Sequence, residues 1–446
     1  MRRAGQGLHR CLADPHRYER EIERLHQKHL FSGRLYELEQ EGVSLARLIQ
    51  RRSKAAKVLA RSVGRGEYRL QPGVVREIEV ERKVRVVVAY NLTDTIVTSA
   101  VSTLIEEATT PLLSDSLYSY RPGVSWLDPS ANFAAYVRAH RRSRPDPRTR
   151  GLYVLRRDVD SYTDSIPVAP SSRVWQMVRE ALEDAGTTPI DDEAWLLVQQ
   201  TIRPELHELG GGLATRIRGV PTGQPISCVL FNLYLNGLDH ALTAIPGGFY
   251  ARYSDDLLFA HPDADTAKQA AETIDAYVRE LHLTIKDEKA ENVYLTGAGR
   301  SSDAWEETRG TTSVQFVGTT VSGSGTVALN RKKLRRVLRE LERRALRSAA
   351  SVRRANGSDA GRAVCSVINQ ALEETPGPFQ QASASLIRRA VTDRSQLAQI
   401  DYWLARMAVK AVTGDGGVRA FRRVPYRKVR EEWGLVSLLH ARNGRA

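Results

Sequence analysis

The chain has 446 residues and carries 66 lysines and arginines against 52 aspartates and glutamates, for a net charge of +14. A hydrophobic content of 41% with 26% charged residues excludes wholesale disorder, and the length allows two or three domains. The three cysteines are widely spaced, which argues against a disulfide scaffold or a cysteine-rich zinc module and favours a reducing, cytoplasmic location.

The basic charge is concentrated in the last quarter of the chain. Residues 331–354 have a net charge of +9 and residues 419–446 have +6, so the remainder is close to neutral. Such a concentration of Lys and Arg favours a surface that binds nucleic acid. The alternative is a solvated basic face that has no partner.

The sequence favours a soluble protein without a membrane partner. The first ten residues lack the apolar run of a secretory signal. Residues 219–238 are uncharged and long enough for a membrane span, but Pro221, Gln224 and Pro225 would leave polar groups in hydrocarbon. We therefore reject a transmembrane assignment for this segment.

In the first 160 residues, apolar spacing predicts helices and a strand hairpin before a basic linker. The helical pattern over residues 16–60 includes Leu35 and Leu38. The predicted elements, in chain order, are helix 16–60, a strand or hairpin over 76–90 with an exposed basic face, helix 92–113, a linker at 140–151 and a strand over 152–158.

The rest of the chain alternates between short strands and amphipathic helices. Helix 330–349 is predicted to bury Leu334, Leu338, Leu341, Ala345 and Leu346. The predicted elements are two helices within 171–209, a long apolar helix over 226–243, strands 248–252 and 257–260, helix 265–281, a strand pair at 283–295 and 313–321, helix 330–349 and helix 395–412.

The strongest chemical signal is the run Tyr253-Ser254-Asp255-Asp256 between two apolar strands. Adjacent carboxylates at a hairpin tip resist joint ionisation unless a cation neutralises them. An ordinary hairpin turn more often uses Asn-Gly or Asp-Gly. The run therefore indicates a cation-binding turn.

A second set of carboxylates ends the strand at residues 152–158. Asp158, Asp160 and Asp164 follow one another there, and a strand end beside an Asp-Asp hairpin would bring three carboxylates together. Such a cluster could hold two Mg²⁺ ions for in-line phosphoryl transfer. The alternative is that these residues only cap turns.

Between the two acidic runs lies a loop rich in glycine and proline, residues 218–227, which precedes an apolar helix. Glycine would let the backbone of this loop approach a flat ligand closely. By itself the loop is equally compatible with the ordinary start of a helix.

Taken in order, these motifs resemble the palm of a reverse transcriptase, specifically the bacterial lineage of group II intron, retron and phage-defence enzymes. The resemblance covers about residues 75–350 and includes Arg85 and the run Tyr118-Ser-Tyr-Arg-Pro-Gly123. It implies an α+β right-hand polymerase with fingers, a palm made of an antiparallel sheet backed by helices, and a helical thumb. The implied domains are an N-terminal helical extension at 1–75, fingers at 76–150, a palm at 151–322 with a helical insert at 167–216, and a thumb with a basic tail at 323–446.

The resemblance also implies roles for individual residues. Asp158, Asp255 and Asp256 match the catalytic carboxylates that bind two Mg²⁺ ions, or Mn²⁺, and Val159 matches a residue whose carbonyl helps to hold the metal. The implied contacts with the incoming nucleotide are Arg85, Arg121, Gly223, Gln224 and Lys289. The implied contacts with primer or nucleic acid are Tyr253, Phe316, Gly318, Arg331, Arg335, Arg339 and Arg343.

The residue expected to exclude ribonucleotides departs from the family pattern. An aromatic residue usually stands five positions after the first catalytic aspartate, but here that position is Thr163 and the aromatic residue is Tyr162. Either Tyr162 takes the role after a small shift, or the discrimination between dNTPs and NTPs is relaxed.

The activity implied is RNA-directed DNA synthesis from dNTPs, with an RNA template and a DNA product. The chain lacks the His/Cys endonuclease tail of intron proteins and has no convincing retron motif, so we expect a defence-associated enzyme that works with a structured non-coding RNA against phage. The alternatives are a template-independent or self-primed polymerase on the same fold and a non-catalytic RNA-binding scaffold. Oligomerisation is left open.

Overall fold

The computed structural model describes residues 6–32, 39–40, 43–80, 83–188, 192–354, 359–374 and 383–441. The predicted helical positions Leu35 and Leu38, and the end of the basic tail at 442–446, lie outside the described residues. Within the described part, no helix combines the length and the apolarity needed to cross a membrane.

Helices and strands are interspersed along the whole described chain, which confirms the α+β class. The helices are α1 (Leu8–Leu12), α2 (Pro15–Ser32), α3 (Leu45–Gln50), α4 (Arg52–Gly64), α5 (Leu92–Thr109), α6 (Asp128–Ser143), α7 (Tyr162–Ser165), α8 (Arg173–Asp184), α9 (Trp195–Ile202), α10 (Pro225–Tyr234), α11 (Asn236–Thr243), α12 (Ala264–Glu280), α13 (Arg331–Arg354), α14 (Ala360–Glu373), α15 (Ser385–Ala390), α16 (Arg394–Thr413), α17 (Ala420–Arg423) and α18 (Leu438–Ala441). The strands are β1 (Gln6–Gly7), β2 (Glu39–Gln40), β3 (Val43–Ser44), β4 (Gly73–Val80), β5 (Lys83–Ala89), β6 (Leu152–Asp158), β7 (Thr187–Thr188), β8 (Glu205–His207), β9 (Leu213–Thr215), β10 (Phe249–Tyr253), β11 (Asp256–His261), β12 (Glu291–Leu295), β13 (Arg309–Thr311), β14 (Ser313–Phe316), β15 (Thr319–Ser322) and β16 (Val327–Leu329).

The strands that carry the acidic runs are neighbours in a five-stranded sheet of order β10-β11-β6-β12-β13. One pair in this sheet, β12 with β13, is parallel, so the predicted antiparallel sheet has a parallel edge. The predicted strand 283–295 is shorter than expected, because residues before Glu291 form a loop with a 3₁₀ turn at Asp287–Lys289.

The chain divides into two compact units. The first holds Met1–Val124, Arg156–Phe259 and Lys268–Glu291; the second holds Ser125–Leu155, Ala260–Ala267 and Asn292–Ala446. All three predicted catalytic aspartates belong to the first unit.

Helix α5 runs through the core of the first unit and is buried around most of its circumference. Its apolar residues include Ile96, Val101 and Ile105, each fully buried, and it packs against α2, α8 and α10. The side chain of Asn91 caps the helix by accepting a hydrogen bond from the Asp94 amide. The predicted helix 226–243 is in fact two helices, α10 and α11, separated at Leu235.

The predicted hairpin at 76–90 is confirmed, and it belongs to a larger sheet of order β5-β4-β8-β9. Strands β8 and β9 come from the predicted helical insert at 167–216, so that insert is helical only in its first part. Because β8 pairs with β4, the insert extends the sheet of the hairpin.

The second unit contains a helical bundle built on α13, α14 and α16. The predicted inward residues Leu334, Leu341 and Ala345 are buried, and Leu338 packs partly against the same core. Leu346, however, is 42% exposed, while Val337, which we did not predict, is fully buried. The buried stripe follows a spacing of three or four residues, and Leu346 falls just outside it.

Candidate active site in the first unit

Asp158 lies where the chain leaves β6 and is held between two neighbouring segments. On one side, the Val159 amide donates a 2.9 Å hydrogen bond to the Asp255 carbonyl. On the other, the Lys286 amide donates to the Asp158 carbonyl, and the Asp160 amide donates to that of Thr284. The main chain therefore fixes Asp158 beside the Asp255 turn, as the order of the motifs predicted.

Two lysines neutralise the Asp158 carboxylate. Lys289 Nζ lies 2.5 Å from Asp158 Oδ2, and Lys286 Nζ lies 3.0 Å from Asp158 Oδ1 and 3.6 Å from an oxygen of Asp160. The hydrogen bond to Asp158 raises the pKa of Lys286. Lys289 was predicted from the sequence as a nucleotide contact; Lys286 was not singled out, although it stands three residues earlier.

Asp255 lies in the tight turn between β10 and β11, and Asp256 is the first residue of β11. Burial raises the pKa of Asp255, and repulsion from Asp158 raises it further. The Asp256 carboxylate lies 3.5 Å from Arg156 Nε. The turn is made possible by a left-handed conformation of Ser254, whose φ is 59°.

Two observations fit a cation at Asp158 and Asp255. Asp158 Oδ1 is buried and already has a cationic partner, Lys286 Nζ, 3.0 Å away. Burial and repulsion from Asp158 raise the pKa of Asp255, and a divalent cation would offset both effects. The described residues do not contain a group of three His, Cys, Asp or Glu side chains already arranged around a metal position. Asp158 and Asp255 would therefore supply the first ligands, with Lys286 and Lys289 now providing the positive charge.

The turn is anchored by Arg252, whose side chain is fully buried with that of Asp239. Its guanidinium also donates to the carbonyls of Phe231, Asn232 and Ser254. This network was not predicted. The one signal in the sequence was the charged Arg252 at a strand position whose neighbours are apolar.

The segment at residues 116–120 pairs with β10 next to the turn. The Tyr118 amide donates to the Arg252 carbonyl, and the Ser254 amide donates to the hydroxyl of Ser119. The rings of Tyr120 and Tyr253 lie 6.4 Å apart. Tyr120 is 47% exposed, so these two rings form an aromatic surface beside the carboxylates.

The glycine-proline loop is bound to strand β5. The side-chain nitrogen of Gln224, Nε2, donates to the Val88 carbonyl, and the main-chain amide of Val88 donates to the carbonyl of Thr222. Gly223 has a φ of 90°, and a Cβ there would lie 3.3 Å from Val87 Cβ. Gln224 was predicted to contact a nucleotide, and its side-chain nitrogen is already bonded within the protein.

Arg85 lies on the same face of β5 as Val87, because side chains two residues apart share a strand face. It is exposed and pairs in register with Ile78 of β4. Since Val87 contacts Gly223, the exposed Arg85 side chain lies along the same strand face as the loop. Its role in nucleotide binding stays a prediction.

The structure corrects the assignment of Tyr162 as a nucleotide contact. Tyr162 is 4% exposed, and its hydroxyl donates to the Phe231 carbonyl at 2.8 Å. Burial raises its pKa far above the ordinary value. Tyr162 is therefore a core residue, whereas Thr163 is half-buried, and its carbonyl accepts a hydrogen bond from the Val220 amide of the loop.

Arg121 and Phe316 also differ from their predicted roles. Arg121 donates to the carbonyls of Ser114 and Leu117, so its guanidinium holds its own segment in place. In the second unit, Phe316 is 1% exposed and cannot offer its ring to a primer. The predicted strand 313–321 is a hairpin, and its turn consists of Val317 and Gly318, both with positive φ.

A basic groove in the second unit

Helix α13 presents its arginines along a groove that it forms with α16. The groove has a volume of about 610 Å³, and its lining includes Arg335, Arg339, Trp403, Arg406 and Lys410. Of the other predicted arginines, Arg331 is exposed at the start of α13, and Arg343 forms an ion pair with Glu340. The two basic residues from α16 were not predicted as binding residues, since their helix was recognised only by its apolar stripe.

Comparisons with known proteins place these observations in context. No curated protein matches the chain. Solved structures that resemble it include an apo telomerase from Candida tropicalis truncated from its C-terminal domain, with 12% identity, a TM-score of 0.44, and coverage of 58% of this chain and 56% of that one. A telomerase from Candida albicans in complex with a fragment of telomeric RNA has 11% identity, a TM-score of 0.42, and coverage of 84% of this chain and 66% of that one. The chain thus spans less than two thirds of the length of either structure.

The family comparison is more specific. The model of the reverse transcriptase (RNA-dependent DNA polymerase) family matches residues 79–321, more than half of the chain. This segment contains the three aspartates, the glycine-proline loop and strand β5, and its match confirms the right-hand polymerase class. The chain belongs to the reverse transcriptase family.

Proposed function

We propose that the protein is an RNA-directed DNA polymerase, which joins a primer 3′-hydroxyl to the α-phosphate of a dNTP. The observation that carries this proposal is the main-chain hydrogen bond from Val159 to Asp255, which brings the carboxylate of β6 to the Asp255-Asp256 turn. In-line phosphoryl transfer needs such a concentration of carboxylates at one point.

Asp158 and Asp255 would hold Mg²⁺, with Asp256 adjacent, and Mn²⁺ is a compatible substitute because both ions prefer oxygen ligands. A bound divalent cation would lower the pKa of the primer hydroxyl and offset charge on the phosphates. Lys286 and Lys289 would then be released from Asp158, and their ammonium groups would be available to the triphosphate. Positioning and charge account for the chemistry, so no side-chain general base is required.

For the partner, we propose a structured RNA bound in the groove between α13 and α16. Four basic side chains line this groove, Arg335, Arg339, Arg406 and Lys410, against one acidic residue, Glu342, which pairs with Lys410, and an exposed Arg331 precedes it. Phosphates of an RNA backbone would match this charge. That the RNA is non-coding and that the reaction serves antiphage defence rest on the sequence resemblance alone.

The proposal is tested by metal-dependent dNTP incorporation with and without added RNA template. We expect Asp255→Ala and Asp256→Asn to abolish incorporation, while Asp303→Asn, at an exposed site elsewhere, retains it. Template-dependent product supports reverse transcription, and equal synthesis without a template would support the template-independent alternative. Normal incorporation by both carboxylate variants would refute the proposal.

A further inference from the structure

A second cavity lies in the first unit, in the insert between the two acidic runs. Its volume is about 330 Å³, and it lies among residues of α8, α9 and the segments 70–72 and 203–205. None of the residues assigned to the carboxylate site lines it. The sequence singled out this insert, and the proposed polymerase chemistry gives the cavity no role.

Two indole rings form part of its wall. Trp175 is 6% exposed and is fixed by a 2.8 Å hydrogen bond from its Nε1 to the Ala169 carbonyl. Trp195 meets it edge to face, with 6.4 Å between the ring centroids. Arg179 lies with its guanidinium carbon 5.9 Å from the centre of the Trp195 ring. A half-buried tryptophan with an arginine over it is a surface on which a flat ring stacks.

The cavity also contains an unsatisfied acceptor. Gln200 lines it, and Gln200 Oε1 is buried without a hydrogen-bond partner among the residues that the structure describes. A buried amide oxygen without a partner costs free energy, which a donor on a ligand would recover. Gln199 lies beside it on the same lining and can offer both a donor and an acceptor.

The charges around the cavity favour an anion at its edge. Arg179 and Arg203 line it against one acidic residue, Glu205. Arg179 forms no ion pair with another described residue, and Arg203 is held by a hydrogen bond from its Nε to the Arg216 carbonyl. A ligand that combines a flat ring bearing N–H donors with a phosphate could stack on the indole rings, donate to the amide oxygen and pair with the arginines at the same time. A proline-rich peptide would satisfy only the ring wall.

We propose that this cavity binds a nucleotide. The base stacks on Trp195, an N–H on the edge of the base donates to Gln200 Oε1, and the phosphate lies near Arg179. This site is separate from the polymerase centre and does not depend on catalysis. The nucleotide could be a free mononucleotide or an unpaired residue of an RNA strand, which share this chemistry.

The experiment measures binding in an Asp255→Ala background, so that turnover does not contribute. One arm titrates AMP, GMP, CMP and UMP by calorimetry; the other titrates a ten-nucleotide RNA carrying one 2-aminopurine, whose fluorescence falls when it stacks. We expect saturable binding in at least one arm, weakened roughly tenfold by Trp195→Leu, since base stacking on an aromatic ring contributes on that scale. Trp195→Phe should retain most of it.

Gln200→Leu should weaken binding and alter the preference among the four bases, because it removes the acceptor. Gln176→Leu is the matched control, since Gln176 is exposed on α8 and its amide bonds to Glu180. Binding in the first arm identifies a free nucleotide, and binding in the second alone identifies a strand. Three results would overturn the proposal: no binding in either arm, wild-type affinity in both Trp195→Leu and Gln200→Leu, or binding of a proline-rich peptide in preference to both probes. None of them bears on the proposal that the protein is a polymerase.

Discussion

Arg252 and Asp239 form a bidentate ion pair in which both side chains are fully buried, with distances of 2.7 Å from Nε to Oδ1 and 2.5 Å from Nη2 to Oδ2. Tyr250 adds a hydrogen bond to the same carboxylate. Because Arg252 also donates to the Ser254 carbonyl, the pair ties helix α11 to the turn that carries Asp255. The turn that carries Asp255 is therefore held by a buried ion pair.

Asp239→Asn should destabilise the fold strongly, because it leaves the buried guanidinium without a countercharge. The expected loss in the free energy of unfolding is about 3–5 kcal/mol, measured by urea denaturation. Glu280→Gln serves as the control, because its ion pair with Arg173 is exposed and should contribute less than about 1 kcal/mol. Similar losses in the two variants would contradict a structural role for the buried pair.

Asp255→Asn should stabilise the metal-free protein at neutral pH. Burial and repulsion from Asp158 raise the pKa of Asp255 in the folded state, so its ionised form costs stability. That cost is absent below the ordinary pKa of aspartate and grows as the pH rises through the raised folded-state pKa. The gain in melting temperature should therefore be present at pH 8 and vanish at pH 3–4.

Adding Mg²⁺ or Mn²⁺ reverses this ranking. If the cation binds the folded carboxylate pair as proposed, the melting temperature of the wild type should rise with its concentration, and that of Asp255→Asn should rise much less. Asp303→Asn, an exposed control, should behave as the wild type in both measurements. A wild type that is insensitive to either cation would argue against the assignment of Asp158 and Asp255 as ligands.

Lys286→Met should tighten cation binding in the absence of nucleotide. Lys286 Nζ lies 3.0 Å from Asp158 Oδ1, so it competes with a cation for that oxygen. A partly exposed ion pair contributes up to about 1 kcal/mol, which corresponds to a decrease of up to about fivefold in the concentration of Mn²⁺ giving half of the thermal shift. Lys57→Met, at an exposed position of α4, provides the control. An unchanged or higher concentration in Lys286→Met would mean that the lysine does not oppose the cation.

The discrimination between dNTPs and NTPs should depend on Thr163 and not on Tyr162. Tyr162 is buried and bonded to the Phe231 carbonyl, so Tyr162→Ala should cost about 3–5 kcal/mol of stability by leaving a cavity. Thr163→Tyr should raise the ratio of dATP to ATP incorporation, because a larger side chain would then occupy the half-buried position. If Tyr162→Ala remains stable and admits ATP while Thr163→Tyr changes nothing, the earlier assignment of Tyr162 is restored.

Motifs whose chemistry is local were predictable from the sequence. The order of Asp158, the glycine-proline loop and Asp255-Asp256 indicated the palm, and alternation of apolar residues indicated the β4–β5 hairpin. The spacing of apolar residues located α13 and α16 and most of their buried faces.

What the sequence did not reveal depends on contacts between distant residues. Neither the pairing of Arg252 with Asp239 nor that of β8 with β4 has a local pattern. Whether Tyr162 or Thr163 reaches the surface depends on one residue of register in a short helix, α7. The sequence also does not show that Arg121 donates to backbone carbonyls, because the motif is the same for an exposed arginine and for one that is bonded to the backbone.

The groove between α13 and α16 should bind RNA through its phosphates, and the binding should weaken steeply with salt. Neutralising the arginines at 335, 339 and 343 with Gln should lower the affinity for a structured RNA and reduce the slope of log K against log salt by up to about 2–3, since each neutralised phosphate contributes close to one. Arg343 is already paired with Glu340, so Arg343→Gln alone should have the smallest effect of the three single variants.

The control replaces three exposed arginines of the first unit, Arg51, Arg61 and Arg65, with Gln, which removes the same charge from a different surface. If both triple variants reduce the slope equally, net charge alone determines binding and the groove has no specific part in it. If only the α13 variant does so while the metal-dependent thermal shift stays unchanged, the contact is local, and the basic face of α13 is an RNA-binding surface.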